Sequence, residues 1–235
     1  MADGWSVIQA AQGACPVNFD PIMALSCVPA ILGVVATTVE VTLASCLGSC
    51  ILGFGLEMAR RSGVSTGYAA RFIIDFVRST PALAWLYFLY FVLPRFDIVL
   101  PPMAVGIVGL SIYFSGYLAE VFKAGIDAIP QGQSEAAKAL GLSRIDTMAF
   151  VLFPQMLRNV AAPIGNYFIS ILKATPYLAT IAVPEMLGRA FDIASDTYRY
   201  AEPLVVAGVL LLLLALAAAQ LVRLLERKLA HPSRR

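Results

Sequence analysis

The chain has 235 residues, of which 59% are hydrophobic and 14% charged, with a net charge of +2 and a mean hydropathy of +0.78. Soluble domains carry about 25% charged residues, so the polar side chains here are too few to cover a water-soluble globule. The composition excludes a soluble globular domain and indicates a membrane protein.

Five segments of the chain are long and apolar enough to cross a membrane as helices. A spanning helix needs about 20 mostly apolar residues. The predicted spans cover about 32–56, 72–93, 102–122, 158–183 and 203–224. We therefore predict an all-α polytopic membrane protein, with one transmembrane domain at 32–228, a preceding segment at 1–31 and a tail at 229–235.

The positions of lysine and arginine predict how the helices are oriented. No Lys or Arg precedes Arg60, so the N-terminus is easy to translocate and lacks the basic region of a signal peptide. An external N-terminus and five spans place the C-terminus and twelve Lys or Arg residues in the cytoplasm, against Arg95, Arg189 and Arg199 outside. Cytoplasmic loops are enriched in these residues, so segment 1–31 is predicted to be external. The basic residues follow the membrane topology and form no nucleic-acid patch.

Small and hydroxylated residues mark the N-terminal part of the chain. Cys15 and Cys27 fall in the predicted external segment, where an oxidising compartment permits a disulfide; the sequence leaves their pairing open. The first span begins with Thr-Thr-Val-Glu-Val-Thr at 37–42, whose hydroxyls can bond backbone carbonyl oxygens. Cys46 and Cys50 lie one helical turn apart on this span and are predicted to be small packing residues.

The longest predicted cytoplasmic connection runs from about 124 to 154 and contains no long apolar run. Long loops in compact domains are usually functional. Strong helix formers predict a short helix over 131–141, and Gly141 supplies the left-handed residue that ends it. Ser143, with Asp146 three residues later, is typical of the N-cap of a second helix. Two short helices that meet at a glycine predict a compact corner at the membrane surface.

The first helix of this corner is suited to contact with another protein. Ala136 and Ala137 have small side chains that allow close approach, and Glu135 offers a directional charged contact. For Glu-Ala-Ala alone, the alternative is an ordinary surface helix that ends at a glycine. Three residues separate Ala137 from Gly141, and nine more precede Val-Leu-Phe-Pro at 151–154.

This spacing resembles the EAA motif of the permease subunits of ABC importers, with Val151 and Phe153 where family members usually have Ile and Leu. Phe-Val-Arg-Ser-Thr-Pro at 76–81 is similar to the family's Arg-Gly-Thr-Pro segment, with Ser79 in place of glycine. Three further segments resemble the polar amino-acid uptake branch: Ala-Glu-Val-Phe-Lys-Ala-Gly-Ile at 119–126, Ile-Pro-Gln-Gly-Gln at 129–133 and Leu-Lys-Ala-Thr-Pro at 172–176. The resemblance covers nearly the whole chain from about residue 33.

The resemblance implies the type I ABC importer permease fold and a location in the bacterial inner membrane. It implies a second permease subunit, identical or paralogous, two cytoplasmic ATPase subunits and an external solute-binding protein, with membrane lipid around the spans. The residues implied to couple this chain to the ATPase are Glu135, Ala136, Ala137, Gly141 and Pro154.

ATP and Mg²⁺ are expected on the ATPase subunits and not on this chain. The sequence has no Gly-x4-Gly-Lys-Ser/Thr phosphate loop, and its single histidine, His231, lies in the basic tail. We therefore expect no cofactor, no metal site and no catalytic residue here.

Polar and ionisable residues inside the predicted spans are candidates for the substrate pathway. Asn166, Ser170 and Lys173 are spaced by four and three residues, so they share one helix face. This polar stripe either lines the pathway or binds the neighbouring subunit, and the sequence leaves both open. For Glu120, the sequence favours a structural salt bridge with Lys123 on the same helical turn. The further pathway candidates are Thr175, Tyr113, Ser115, Tyr117, Arg78 and Glu120.

The sequence leaves three functions open. The first is an ABC permease that imports a polar amino acid, with compatible solutes or opines as alternative solutes. An ion-coupled secondary transporter would explain carboxylates within the membrane, but five spans without a detectable inverted repeat argue against it. The third is a membrane assembly factor without transport activity, which predicts no stimulation of a partner ATPase.

Overall fold

A computed structural model describes residues 19–229 of the chain, and every regular element in that range is a helix. The α-helices are α1 (Pro21–Leu32), α2 (Val35–Ser62), α3 (Val64–Ser79), α4 (Ala82–Tyr87), α5 (Pro102–Asp127), α6 (Gln131–Ala139), α7 (Arg144–Asp146), α8 (Phe153–Ala174), α9 (Met186–Thr197) and α10 (Ala201–Leu229). π-Helical segments at Phe88–Val92 and Thr147–Leu152 and 3-10 segments at Leu93–Phe96 and Thr175–Ile181 continue these helices. The all-α prediction is confirmed for the described range, which does not include His231.

Three helices are long and apolar enough to cross a membrane alone, namely α2, α5 and α10. Two further pairs pass the same test only as bent units. The helices that end at Ser79 and begin at Ala82 meet at 100°, and those that end at Ile181 and begin at Met186 meet at 40°. Residues 19–229 therefore hold three candidate spans, or up to five if each bent pair is one span.

The predicted second span, 72–93, is wrong as a single continuous helix. α3 ends at Ser79, Thr80 is extended (φ −92°, ψ 131°), and α4 starts after Pro81. Proline has no N–H to donate and disfavours the helical conformation at the residue before it. The break matters for the site because it brings Arg78, at the end of α3, against a tyrosine of α5.

The predicted fourth span, 158–183, has different boundaries in the structure. α8 begins earlier, at Phe153, and its α-helical part ends at Ala174. The chain then tightens into the 3-10 segment Thr175–Ile181. Pro176 lies in this segment and cannot donate the backbone hydrogen bond that an α-helix would need there.

The sequence pattern did not predict α9, which lies in the predicted outer connection 184–202. Met186, Ala190 and Ala194 are buried at helical spacing along α9. Glu185 caps its N-terminus by accepting a hydrogen bond from a backbone N–H. α9 is thus amphipathic. A helix of this kind with mixed charges has no long apolar run, so a search for apolar spans does not predict it.

Small and hydroxylated residues form the buried face of α2 that packs on α5. Thr42, Ser45 and Gly53 belong to this face. Thr42 donates its hydroxyl to the backbone oxygen of Thr38 (2.7 Å), as predicted for the start of this span. A Cβ atom at Gly53 would lie 2.8 Å from the carbonyl oxygen of Ser115 on α5. Because small residues let membrane helices approach closely, this face sets the distance between α2 and α5.

α1 precedes the first predicted span and packs on α9 and α10. Asp20 caps α1 by accepting hydrogen bonds from two backbone N–H groups of its first turn (2.9 and 3.2 Å). Cys27 is buried in this packing, while Cys15 lies outside the described residues, so their pairing stays a prediction. Cys46 and Cys50 are half-buried and pack on the cores around α2, as predicted.

Candidate functional site

The predicted corner after α5 is present, and its first helix ends as the sequence indicated. Gly141 has a left-handed backbone conformation (φ +77°). The N–H of Leu142 donates to the oxygen of Ala137 (3.1 Å), and the N–H of Gly141 donates to the oxygen of Lys138 (2.9 Å). These two bonds form the Schellman pattern of helix ends. The predicted stop at Gly141 is confirmed.

Ser143 starts the second half of the corner. Its hydroxyl accepts from the N–H of Asp146 (3.1 Å) and donates to the Asp146 carboxylate (2.6 Å), so the predicted N-cap is confirmed. The α-helical part is only one turn and continues as the π-helix Thr147–Leu152. α8 follows, with Pro154 exposed in its first turn. π-Helical turns are frequent at functional sites.

The outer face of α6 is exposed and its inner face packs on the same chain. Glu135, Ala136 and Leu140 are exposed, and 81% of Leu140 is accessible. Ala137 is buried, and α6 packs on the π-helix that follows the corner. Glu135, Ala136 and Leu140 therefore lie on the exposed side of this corner, and Ala137 lies on its packed side. Leu140 was missed at the sequence level, although an apolar residue beside the helix-ending glycine is a visible signal.

A cavity of about 340 Å³ lies between α5 and α8. Four of its lining residues carry polar groups, and they are Tyr117, Glu120, Asn159 and Tyr167. Asn159 donates to the backbone oxygen of Gly125 (3.0 Å), which joins α8 to α5 beside the cavity. The two helices thus hold a pocket that combines aromatic, amide and carboxylate groups.

The Arg78 guanidinium, at the end of α3, contacts Tyr117, which lines this cavity. Its Cζ atom lies 5.5 Å from the ring centroid of Tyr117, which is within cation–π range, and Tyr117 donates its hydroxyl to the backbone oxygen of Arg78 (3.3 Å). The Tyr117 ring also contacts Tyr113 and Tyr167, at centroid distances of 5.3 and 6.1 Å. Of the predicted pathway residues, the structure therefore brings together Arg78, Tyr113, Tyr117 and Glu120.

The predicted salt bridge between Glu120 and Lys123 is wrong. Glu120 Oε1 accepts from Arg60 Nη1 at 2.6 Å, while Lys123 is exposed. Arg60 also donates from Nε to Glu57 (2.6 Å), and Glu57 is buried. Arg60 reaches Glu120 from α2 because Glu57 holds its guanidinium beside α5. Glu57 and Arg60 were missed at the sequence level, although an acid and a base at i and i+3 often pair on a helix.

The polar stripe of α8 is exposed. Asn166, Ser170 and Lys173 are all exposed, and Ser170 donates to the backbone oxygen of Asn166 (3.0 Å), so their shared face is confirmed. Thr175 and Ser115 are buried, and each donates to a backbone oxygen three residues earlier. The structure brings neither of these two hydroxyls to the stripe or to the cavity.

Asn159 and Tyr167 were missed at the sequence level. With Pro163 between them they follow a four-residue spacing on α8, and all three line the cavity. That spacing was visible in the sequence, but no single charged residue drew attention to it. Within residues 19–229, no group of three or more His, Cys, Asp or Glu side chains is arranged to hold a metal ion.

Comparison with known proteins identifies the family. Residues 50–231 match the family described as the binding-protein-dependent transport system inner membrane component. The probable amino-acid ABC transporter permease protein y4tG of Sinorhizobium fredii is 36% identical over 212 residues, which cover 89% of this chain and 91% of that protein. The arginine transport system permease protein ArtQ of Bacillus subtilis is 32% identical over 217 residues, which cover 90% of this chain and 98% of that protein.

A solved structure supports the same assignment. The crystal structure of an amino acid ABC transporter with histidines superposes with a TM-score of 0.81 at 29% identity, over 90% of this chain and 99% of that chain. The fold and the sequence match therefore agree along most of the chain. The chain belongs to the family of inner membrane components of binding-protein-dependent transport systems.

Proposed function

We propose that the chain is the permease subunit of an ABC importer for a polar amino acid or a similar small zwitterionic solute. The chain is an inner membrane component of a transport system, and the relatives named above are amino-acid permeases. It transports and does not catalyse a reaction. ATP hydrolysis, with ATP and Mg²⁺, is assigned to a separate ATPase subunit.

The proposed topology has five spans in the type I importer fold. They are α2, α3 with α4, α5, α8 with the segments that follow it, and α10, within a transmembrane domain at 32–228. The N-terminal segment 1–31 lies outside and the tail 229–235 in the cytoplasm. The distribution of Lys and Arg supports this orientation.

The observation that carries the proposed solute class is that Tyr117, which lines the cavity between α5 and α8, contacts the cation Arg78 and lies one helical turn before the carboxylate of Glu120. Arg78 lies against one side of the Tyr117 ring, and Glu120 lines the cavity on the next turn of α5. An amino acid carries a carboxylate and an ammonium group. We assign the carboxylate to Arg78, whose side chain has no ion pair with another described residue, and the ammonium group to Glu120 and the tyrosine ring faces.

The exposed stripe on α8 has a second proposed role. Lys173 has no ion pair with any described residue, and a charged group in a candidate span is costly against lipid. Asn166, Ser170 and Lys173 therefore face either the solute pathway or a second permease subunit, identical or paralogous. Thr175 and Ser115 are assigned to packing, since their hydroxyls bond their own helices.

Coupling to the ATPase is assigned to the corner. The exposed Glu135, Ala136 and Leu140 form the proposed contact, and Gly141 fixes the turn. Pro154 lies in the first turn of α8, which leads back into the membrane. In the proposed complex, two permease subunits contact two cytoplasmic ATPase subunits and receive solute from an external binding protein. ATP binding would move the two corners together and so change the side from which the cavity is open.

Replacing Arg78 tests the solute site. Loss of a hydrogen bond to a charged group costs about 1.5–3 kcal/mol, so Arg78→Gln is expected to lower the kcat/KM of amino-acid uptake about tenfold or more. Arg71→Gln is the matched control, because Arg71 is also exposed on α3 and stacks on a tyrosine, Tyr68, at 5.8 Å. Both variants would be measured in vesicles that contain the whole transporter and its binding protein. Equal uptake by the two variants would remove Arg78 from the site.

Charge reversal at the corner tests the coupling assignment. Glu135→Arg is expected to release the ATPase subunit or to uncouple ATP hydrolysis from uptake. Arg158→Glu reverses an exposed charge on α8 outside the corner and is expected to keep both activities. Normal copurification together with normal uptake in Glu135→Arg would refute the docking assignment. Uptake that follows an ion gradient and needs no ATP would instead support a secondary transporter.

A further inference from the structure

A second groove, which is lined by residues of α2 and of the segment from α7 to α8, lies outside the proposed solute site. Its volume is about 590 Å³, which is in the usual range of small-molecule pockets. One wall is the last third of α2, with Phe54 and Met58, and the other is the segment from α7 to α8, with Met148 and Phe153. The rings of Phe54 and Phe153 meet edge to face at 5.4 Å. The walls are therefore largely apolar.

The rim of this groove is basic. Arg61 and Arg144 both line it, and none of the lining residues is acidic. The Arg61 guanidinium is fixed by Glu57 and Asp127, and one third of its side chain stays exposed. Arg144 is exposed, and its side chain has no ion pair with another described residue. The positive charge of Arg144 at the rim is thus uncompensated, and Arg61 is held in place by its two carboxylate partners.

The surroundings of the rim fit a membrane surface. Arg61 lies in the last turn of α2, which is the cytoplasmic end in the proposed orientation. Ile145, which follows Arg144, is 80% exposed, and Phe150, five residues further on, is 75% exposed. Apolar side chains beside basic ones are typical of segments that lie at the boundary between headgroups and acyl chains. Phe54 and Met58 precede Arg61 on α2 and line the groove with it, so in the proposed orientation they lie on its membrane side.

We propose that this groove binds an anionic phospholipid of the cytoplasmic leaflet, with its phosphate at Arg144 and Arg61 and an acyl chain along Phe54, Met58 and Met148. The proposal rests on the orientation given under Proposed function. Basic pockets between membrane helices on the cytoplasmic side are suited to anionic headgroups. The bound lipid would bridge α2 and the second half of the corner, so it would also affect how firmly that corner is held.

Lipid binding can be measured by native mass spectrometry of the full-length chain in complex with its ATPase subunit, titrated with phosphatidylglycerol or phosphatidylcholine. One phosphatidylglycerol per permease chain is expected, with weaker binding of phosphatidylcholine. Arg144→Gln should weaken phosphatidylglycerol binding about fivefold, which is the contribution of one basic residue near an anionic surface. Ala149→Phe, which fills the groove without changing charge, should weaken the binding of both lipids. Arg158→Gln removes an exposed arginine that does not line the groove and should leave binding unchanged.

Three results would overturn the proposal. The first is equal phosphatidylglycerol binding by the wild type and Arg144→Gln. The second is an equal loss of binding in Arg144→Gln and Arg158→Gln. The third is binding to the full-length chain alone that disappears when the ATPase subunit is added, because the groove would then be a contact with the ATPase. The titration needs neither solute nor ATP, so it gives a result even if the proposed solute is wrong. If no ATPase subunit copurifies, the same titration of the full-length chain decides the lipid site.

Discussion

Glu57 is the buried centre of an ion-pair network that joins α2 to α5, and replacing it is expected to destabilise the protein strongly. Its carboxylate is 1% exposed and accepts hydrogen bonds from Arg60 and Arg61. Arg60 in turn pairs with Glu120 on α5, and Arg61 pairs with Asp127. In Glu57→Ala both guanidinium groups lose an anionic partner, and Arg60, which is 9% exposed, has little water to replace it.

The size of the effect follows from burial. Removing one partner of a buried ion pair costs about 3–5 kcal/mol, because the remaining charge is left uncompensated. The pair between Arg61 and Asp127 is 34% and 50% exposed, and exposed pairs contribute about 0–1 kcal/mol. For a domain of about 150–250 residues, these values correspond to a fall in Tm of roughly 6–20 °C for Glu57→Ala and at most about 4 °C for Asp127→Ala.

The assay is thermal unfolding of the two variants and the wild type in the same detergent, followed by intrinsic fluorescence. Asp127→Ala is the matched control, since it removes an anion from the same network on its exposed side. Glu57→Gln should fall between them, because an amide oxygen still accepts a hydrogen bond from one arginine. A fall in Tm that is equal for Glu57→Ala and Asp127→Ala would refute the claim that burial makes the Glu57 pairs strong.

Three further predictions concern packing, the corner and the stripe. Gly53→Ala should lower the free energy of unfolding by about 1–3 kcal/mol, because the added Cβ would lie 2.8 and 3.0 Å from backbone atoms of α5. A Cβ at Gly55 has nothing within 4 Å, so Gly55→Ala should be neutral or stabilising. Equal Tm values for the two variants would contradict the close packing. Gly141→Ala should add about 1–2 kcal/mol of backbone strain, because residue 141 has a φ of +77°. It should also lower the number of solute molecules imported per ATP hydrolysed. If that number is unchanged in vesicles, the turn is not needed for coupling. Lys173→Ala or Asn166→Ala should lower uptake while the complex still assembles, and normal uptake would exclude the stripe from the pathway.

The corner after α5 could be predicted from the sequence because its structure is local. The helix stop at Gly141 depends on one residue that tolerates positive φ, and the cap at Ser143 depends on a side chain and a backbone group three positions apart. Such features need no information about distant parts of the chain. The face of α6 that is available to a partner is different, because Ala137 is buried only by packing on the following π-helix.

The residues that surround the cavity could not be predicted from the sequence in the same way. Arg60 pairs with Glu120 across 60 positions, and Tyr117 bonds Arg78 across 39. Spacing along a single helix instead favours Lys123 as the partner of Glu120, because both lie on one turn of α5. Lys123 is exposed in the structure. The break at Pro81 was visible as a proline, but its angle of 100° and the contact it gives Arg78 depend on how α3 packs against α5.

The sequence by itself determined that this chain lies in a membrane, where along the chain the corner after α5 forms and how its first helix ends. Composition, hydrophobic length and local capping decide those properties, and each acts over a few helical turns. Only the tertiary structure decided which charges meet. Ion pairs and cavities arise where helices from distant parts of the chain come together, so Glu57, Arg60, Asn159 and Tyr167 acquire their roles from α2, α5 and α8 as a unit.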